Sequence, residues 1–209
     1  MVLTYHLWFM YAKFSNLANS WGNAEMRATD DRYRGDTTKF ELATRMIGHE
    51  ARTGTIRFWT GLSDDRIRKI YTSYFKYGGI PVRRRRGRSP TQVAPLVRTP
   101  GRALESGVFT QLMLVNELLC NTDRDQPALK NNIELGHCFC ECYETYLLLV
   151  QQPLLSFEWG WNLLLSIRRG DELGIARCQR CSICYVIDLL ELPRSSCPGC
   201  LLFSPVRLN

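Results

Sequence analysis

The sequence predicts a mainly α-helical protein that ends in a small four-cysteine lobe. Apolar residues recur at helical spacing in two parts of the chain, residues 38–75 and 108–168. A basic, proline-containing stretch separates these parts, and two C-x-x-C pairs lie close to the C-terminus. We therefore expect a helix-turn-helix-like N-terminal half, a helical middle and a C-terminal zinc-ribbon lobe.

The lobe is organised by residues 178–200, which have the sequence CQRCSICYVIDLLELPRSSCPGC. Its two pairs are Cys178/Cys181 and Cys197/Cys200, with fifteen residues between Cys181 and Cys197. This spacing favours a tetrahedral site in which two tight turns each present two thiolates to one structural Zn²⁺ ion per chain. The β-branched segment 185–190 between them predicts a strand. A lobe with so little apolar surface is not expected to fold without a metal. Metal binding supplies roughly 10 kcal/mol or more of folding free energy in isolated zinc peptides.

Cys184 leaves one alternative open, because it also forms a C-x-x-C pair with Cys181. We favour Cys178, since the residues that follow Cys181 fit the small-x-x-aromatic pattern found after many zinc-ribbon turns. Cys184 is then a spare thiol at the start of the strand. A disulfide framework or unpaired core cysteines would not explain two such pairs at this distance.

The first half of the chain begins with an aromatic and apolar extension. Residues 1–25 predict a short helix that docks on the body or on a partner, although they also fit translation from a start codon upstream of Met26. The polar chain after Met26 leads into a predicted helix at 38–50, with Phe40, Ala43, Met46 and Ile47 on one face.

Residues 55–75 give the sharpest helical signal of this half. The short apolar element 55–60 ends at Gly61, and Ser63 is a candidate N-cap for a helix over 63–75. Asp64 and Asp65 suit the positive end of that helix. Its predicted inward stripe is Ile67, Ile70, Tyr71 and Tyr74, whereas Arg66, Arg68 and Lys69 project away from it. The order of these predicted elements, a helix, a short helix, a tight turn and a capped basic helix, resembles a helix-turn-helix whose last helix enters the major groove of DNA. A plain helical bundle with solvated charges remains the alternative.

Charge is concentrated in the same half. Residues 27–102 carry 18 Lys and Arg against 7 Asp and Glu, a net charge of +11, whereas the whole protein carries +7. The RRRRGR run, which cannot pack, predicts an exposed loop that binds phosphates through Arg83, Arg84, Arg85, Arg86 and Arg88. The asymmetry favours a polyanionic partner; RNA fits the charge equally well, and the helix order favours duplex DNA.

The middle of the chain predicts helices that follow an extended proline-rich arm at 89–107. One apolar stripe contains Phe109, Leu112, Met113, Val115, Leu118 and Leu119, and further helices are expected at 133–150 and 156–168. Cys138, Cys140 and Cys142 occupy alternate positions within the predicted helix at 133–150. Because a step of two residues turns a helical side chain by about 200°, one helix cannot direct all three at one ion, and we predict core thiols.

Several classes of function find no support in the sequence. It contains no Walker loop, no H-E-x-x-H and no G-x-S-x-G, and a closed four-thiolate site leaves no open position for a catalytic water, so we expect no enzyme. No apolar run approaches the about 20 residues of a membrane span, and the N-terminus lacks a signal-peptide pattern. We expect a cytoplasmic protein with reduced thiols and no membrane partner.

The order of these features resembles the FlhC family of transcriptional activator subunits. The likeness covers about residues 38–204 and depends on GLSDDRIRKIY (61–71), RGRSP (86–90) and the CQRC…CPGC spacing. The family includes the flagellar master regulator subunit FlhC and the AcaC and SetC activators of conjugative plasmids and integrative elements. On its pattern the zinc ligands are again Cys178, Cys181, Cys197 and Cys200.

The resemblance implies a transcriptional activator that binds promoter DNA with an FlhD-like helical partner and recruits RNA polymerase. Two chains of this type would assemble with about four of the partner. The aromatic N-terminus, the longer arginine run and the cysteines at 138–142 depart from the flagellar form, so we expect activation of conjugative-transfer genes. Activation of flagellar operons and a zinc-ribbon adaptor without DNA binding are the alternatives. The predicted domains are 1–37 (extension), 38–88 (helix-turn-helix-like basic region), 89–107 (arm), 108–170 (helical core) and 171–209 (zinc-binding lobe).

Overall fold

A computed structural model describes residues 29–76, 82–85, 87, 89–120, 127–191 and 196–203. The chain divides into two units, Met1–Asp36 and Thr37–Asn209. Only the helical residues 29–36 of the first unit are described, so the predictions for residues 1–25 lie outside the described part of the chain. Apart from residues 29–36 of the first helix, the features that follow belong to the second unit.

The described chain is mainly helical, with one antiparallel pair of strands near the C-terminus. A π-helical turn, Thr72–Lys76, continues α3, and none of the described helices is long and apolar enough to cross a membrane. The strands are β1 (Leu173–Arg177) and β2 (Cys184–Asp188). The helices are α1 (Thr29–Gly48), α2 (Thr53–Thr60), α3 (Asp64–Tyr71), α4 (Ala94–Val97), α5 (Pro100–Val115), α6 (Ile133–Leu149), α7 (Phe157–Arg169) and α8 (Pro198–Leu202).

The core is an aromatic cluster contributed by α2, α5, α6 and α7. Phe139 of α6 lies at its centre: its ring centroid is 5.0 Å from that of Phe157, 5.8 Å from Phe109 and 6.0 Å from both Trp59 and Trp161. The close approach of α6 to α1 depends on Gly136, where an added Cβ would lie 2.5 Å from Leu42 Cδ2. This packing fixes α2, and with it the turn into α3.

The helix predicted at 38–50 is confirmed, although α1 begins earlier, at Thr29. Its predicted inward face is also found, since Ala43, Met46 and Ile47 are buried and Phe40 is half-buried. Sequence reasoning placed the helix start too late because residues 29–37 are polar. No proline lies between 29 and 48, so the chain has no covalent reason to leave helical geometry there.

The prediction for α3 is confirmed in all but one residue. The Ser63 hydroxyl accepts a hydrogen bond from the backbone N–H of Arg66, and Ile67 and Ile70 are buried. Tyr74 was predicted to face inward, and that was wrong, because its side chain is 57% exposed and rests edge-on against Phe40. The switch to π-helical geometry at Thr72 changes the angular spacing of later side chains, so the stripe does not continue.

The prediction of an extended arm at 89–107 was wrong, because much of this segment is helical. α4 is followed at once by α5, which begins at Pro100 and not at 108. Thr99 provides the N-cap by accepting from the N–H of Arg102, and Pro100 occupies the first helical position, where its missing N–H costs nothing. The prolines therefore mark helix starts in this stretch.

The far end of α5 also differs from its predicted stripe. Val115 is 79% exposed, whereas Leu118 and Leu119 are buried after the helix has ended. Glu117 adopts a positive φ of 57°, and the N–H of Leu118 then donates to Met113 O at 2.9 Å. This left-handed termination redirects the two leucines into the core.

Candidate metal centre and cationic cleft

The two cysteine pairs come together at one place. The Sγ atoms of Cys178, Cys181, Cys197 and Cys200 all lie within 4.8 Å of one another. Cys178 Sγ is 3.9 Å from Cys200 Sγ, and Cys181 Sγ is 3.6 Å from Cys197 Sγ. Four sulfurs held about 2.3 Å from a central ion lie about 3.8 Å apart, so the side chains fit a tetrahedral metal centre.

Local backbone structure builds each half of the centre. The first pair forms the turn between β1 and β2, where the N–H of Cys178 donates to Ile183 O and the N–H of Ser182 returns to Cys178 O, both at 2.9 Å. The second pair begins α8, with Cys197 as its N-cap and Pro198 in the first turn. The predicted strand is present as β2, while its partner β1 was missed.

Backbone N–H groups point at the sulfurs and favour their ionised form. Cys178 Sγ accepts from the N–H of Cys197 at 3.3 Å and from that of Arg180 at 3.4 Å. The bond from Cys197 is the largest cause that lowers the pKa of Cys178 to about 6. A hydrogen bond to the Cys181 thiol raises the pKa of Cys200 to about 12. Metal binding would displace the protons that these thiols share.

Cys184 lies outside the cluster, as the favoured ligand set predicts. It begins β2 with a half-buried side chain, and its carbonyl accepts from Gln111 Nε2 at 2.8 Å. Val186 and Leu173 belong to the main core, so the hairpin is anchored on α5 and α7. The four-cysteine cluster is therefore attached to the helical body through the β1–β2 hairpin.

Of the three cysteines of α6 that were predicted to be core thiols, Cys140 and Cys142 are, whereas Cys138 is only half-buried. Cys140 and Cys142 are buried, and burial raises the pKa of Cys142 to about 12. The thiols of Cys138 and Cys142 donate to the carbonyls of Asn116 and Leu112. They contribute to packing between α6 and the end of α5.

The predicted DNA-contact residues are mostly exposed. Arg66, Arg68 and Lys69 lie on the outer side of α3, opposite Ile67 and Ile70. Arg83 and Arg85 are exposed and Arg84 is half-buried, while Arg86 and Arg88 lie outside the described residues. The loop reaches α3 through the Tyr71 hydroxyl, which donates to Val82 O at 3.0 Å.

Only some of the predicted DNA-contact residues line a common cleft, which has a volume of about 620 Å³. Arg68, Arg84 and Arg85 line it, whereas Arg66, Lys69 and Arg83 do not. Sequence reasoning missed two further arginines of the lining, Arg52 and Arg57, because Arg52 falls between two predicted elements and Arg57 within a short apolar one. The rest of the lining is Thr53, Gly54, Asp64, Gly87 and Ser89.

A buried carboxylate, Glu158 of α7, holds one wall of the cleft in place. It accepts from the backbone N–H of Arg52 at 2.7 Å, from the Thr55 hydroxyl at 3.0 Å and from the Ser89 hydroxyl. Glu158 is only 2% exposed. One side chain thus ties the start of α2 and the arginine loop to α7.

No protein-family model matches the chain, and no curated protein sequence matches it.

Proposed function

We propose that this chain is the DNA-binding subunit of a transcriptional activator similar to FlhC, without catalytic activity of its own. The observation that carries the proposal is the basic surface formed by α3 and residues 82–85. There, arginines and lysines are exposed over a helix whose opposite side is buried. Duplex DNA is the polyanion that such a protruding helix fits best.

The connection between α2 and α3 supports a helix-turn-helix interpretation. Only Gly61, Leu62 and Ser63 separate the two helices, and Gly61 ends α2 in the left-handed conformation with φ 68°. Leu62 is buried and anchors the turn. Short turns that contain glycine are typical of the motif, and the second helix would present its outer side chains to base edges.

The arginine loop supports a division of labour on DNA. Arg84 places its guanidinium carbon 5.7 Å from the ring centroid of Tyr71, which holds the loop against α3. Arg83 and Arg85 remain exposed beside it. Arg83–Arg86 and Arg88 would bind phosphates and supply affinity, whereas Arg66, Arg68 and Lys69 would discriminate between sequences.

We assign one structural Zn²⁺ per chain to the four-cysteine centre. An all-thiolate tetrahedral set selects Zn or an iron–sulfur cluster, and the two C-x-x-C turns match structural zinc sites. Four protein ligands leave no coordination position for substrate. Cys178, Cys181, Cys197 and Cys200 would hold the ion that fixes the β1–β2 turn to α8.

The proposed complex contains two copies of this chain and four copies of an FlhD-like helical partner. It would act in the cytoplasm by recruiting RNA polymerase. Exposed apolar side chains at the end of α6 support a partner surface, since Leu148 is 71% exposed and Leu149 63%. Genes for conjugative transfer are the proposed targets, and flagellar operons are the alternative.

Binding curves on operator and scrambled duplexes test the proposal. Arg66→Ala or Arg68→Ala should cost about 1–3 kcal/mol on the operator and less on scrambled DNA, since alanine cannot hydrogen-bond a base edge. Alanines at Arg83–Arg85 should weaken both duplexes alike and reduce the salt dependence by about one unit for each phosphate that is no longer bound. If the α3 variants weaken both duplexes equally, α3 does not read sequence.

A zinc-ribbon adaptor that binds only protein is the second candidate. It is favoured by exposed apolar residues of the metal lobe, above all Leu190 at 79% and Phe203 at 78%. It gives no reason for the net charge of +11 in residues 27–102. Absence of any salt-dependent duplex binding, with the co-expressed partner present, would favour the adaptor.

A further inference from the structure

The cationic cleft has the features of a site for a phosphate group. Five arginines line it, Arg52, Arg57, Arg68, Arg84 and Arg85, against the single acidic residue Asp64. Glu50 and Asp65 stand outside the lining and pair with Arg85 and Arg68. The buried Glu158 carboxylate lies behind the wall, where it accepts from the Arg52 N–H. With these four carboxylates counted, the five arginines still leave an excess of positive charge, and guanidinium groups bind phosphate oxygens with two parallel hydrogen bonds.

The start of α2 adds backbone donors to the same cleft. Thr53 and Gly54 belong to the first turn of this eight-residue helix, and both line the cleft. Arg52 at the N-cap makes no side-chain cap, and the first turn has no acidic residue. Glu158 takes the N–H of Arg52 from the buried side. Among the described residues, the N–H groups of Thr53 and Gly54 have no backbone acceptor outside the helix.

A second observation concerns Arg52 itself. Its Nε is buried, and within the described part of the chain it has no hydrogen-bond partner. A buried guanidinium donor without an acceptor is unfavourable, because its desolvation is not offset by a hydrogen bond. Arg52 also lines the cleft, so an anion bound there would give its guanidinium group an acceptor.

We propose that the cleft binds one phosphodiester phosphate of duplex DNA, held by Arg52, Arg57 and the first turn of α2. This inference rests on the proposed function and extends the DNA interface beyond α3 and the arginine loop. Arg68 connects the two parts, because it lies on α3 and lines the cleft. A phosphate fixed here sets the position of α3 along the groove without reading any base.

Gly54 offers a test that separates binding from folding. A Cβ at Gly54 meets nothing within 4 Å, so side chains fit there. Gly54→Asp places a negative charge in the first helical turn, where it favours the helix and opposes a phosphate. Gly54→Asn is nearly the same shape without the charge. We expect both variants to melt at or above the wild-type temperature.

Fluorescence anisotropy with the full chain and its co-expressed partner, on operator and scrambled duplexes, gives the main result. Gly54→Asp should bind both duplexes at least about tenfold more weakly than Gly54→Asn, because the site carries no base information. Arg57→Gln should lower the salt slope by about one unit, whereas the exposed Arg98→Gln outside the cleft serves as the charge-matched control. Equal duplex affinities of the two Gly54 variants would overturn the proposal.

Inorganic phosphate distinguishes the source of the bound group. At matched ionic strength it should stabilise Gly54→Asn against heat more than Gly54→Asp, in the absence of DNA. If phosphate separates the variants while duplex binding does not, the cleft serves a free phosphate and the DNA assignment is wrong. If DNA binds specifically and neither measurement separates the variants, the cleft assignment fails while the proposed function stands. If no duplex binds at all, the proposed function and the duplex assignment both fail.

Discussion

Glu158 is the side chain on which the geometry of the cleft depends most directly. Glu158→Ala removes the acceptor for three donors, the Arg52 N–H and the hydroxyls of Thr55 and Ser89. Thr55 is 2% exposed, and its hydroxyl keeps only the Ser89 hydroxyl, 3.2 Å away, while the Arg52 N–H loses its acceptor. A stranded buried donor costs about 1–3 kcal/mol, and the deleted side chain leaves a void. We expect a total destabilisation of about 3–5 kcal/mol.

Glu158→Gln separates the effect of hydrogen bonding from the effect of charge. Its carbonyl oxygen still accepts from the Arg52 N–H, and its amide donates to the hydroxyls, which rotate to accept. Only the charge assistance disappears, so the destabilisation should be about 1–2 kcal/mol. Glu141→Ala on α6 is the matched control, since its side chain is 60% exposed and its interaction with Arg45 is a 3.5 Å ion pair. It should cost less than about 1 kcal/mol.

Urea unfolding followed by circular dichroism measures these differences in the free energy of unfolding. Metal content should be unchanged in all three variants, because the hydrogen bonds of Glu158 go to Arg52, Thr55 and Ser89 and not to the four-cysteine centre. A Glu158→Ala protein within about 1 kcal/mol of wild type would refute the reasoning. So would a glutamine variant as unstable as the alanine variant, because the cost would then come from charge and not from stranded donors.

Two further predictions concern the metal centre and acid stability. Cys178→Ser should lose the metal and much of the soluble protein, whereas Cys184→Ser and Cys140→Ser should retain one Zn²⁺ per chain by elemental analysis; the opposite outcome for Cys178 and Cys184 would show that the ligand set is wrong. Burial raises the pKa of Glu144, yet its hydrogen bonds from Arg45 and His49 outweigh burial and lower it to about 2, below the ordinary 4.5. Its contribution of about 1–2 kcal/mol, after allowance for solvent screening, is thus present above about pH 4.5 and disappears as the pH falls toward 2. Urea unfolding from about pH 6 to about pH 3 should show a smaller decrease in stability for Glu144→Gln, and an equal decrease in both proteins would contradict the assignment.

The four-cysteine cluster was predictable because its geometry is local. Each C-x-x-C pair spans only four residues, and the pairs are separated by only the fifteen residues 182–196. The N-cap of α3 was predictable for the same reason, since Ser63 and the N–H of Arg66 are three residues apart. Thr99 and Pro100 carry an equally local helix-start signal, which the neighbouring prolines obscure because they also fit an extended arm.

The cleft was not predictable, because it is made by contacts between distant parts of the chain. Glu158 meets Arg52 across 106 residues and Thr55 across 103. Nothing in the periodicity of α7 marks Glu158, a charged residue near a helix start, as buried. Arg52 and Arg57 likewise become part of a cationic cleft only because α2 packs beside the arginine loop. The charge asymmetry of the sequence indicates the half of the chain in which the cleft lies, but only the packing shows which residues line it.

Ion pairs at the cleft hold the arginines in place without neutralising them. Arg57 is 3.0 Å from Asp64, and both side chains are more than half exposed; Arg85 is 2.8 Å from Glu50 and also partly exposed. Exposed pairs of this kind stabilise by about 0–1 kcal/mol each, so they exchange readily for a stronger partner. A phosphate that accepts from the same guanidinium groups therefore meets side chains already positioned, and binding restricts their rotamers little further. By linkage, the same phosphate should stabilise the folded chain by an amount that rises with the logarithm of its affinity, because unfolding separates the arginines that bind it.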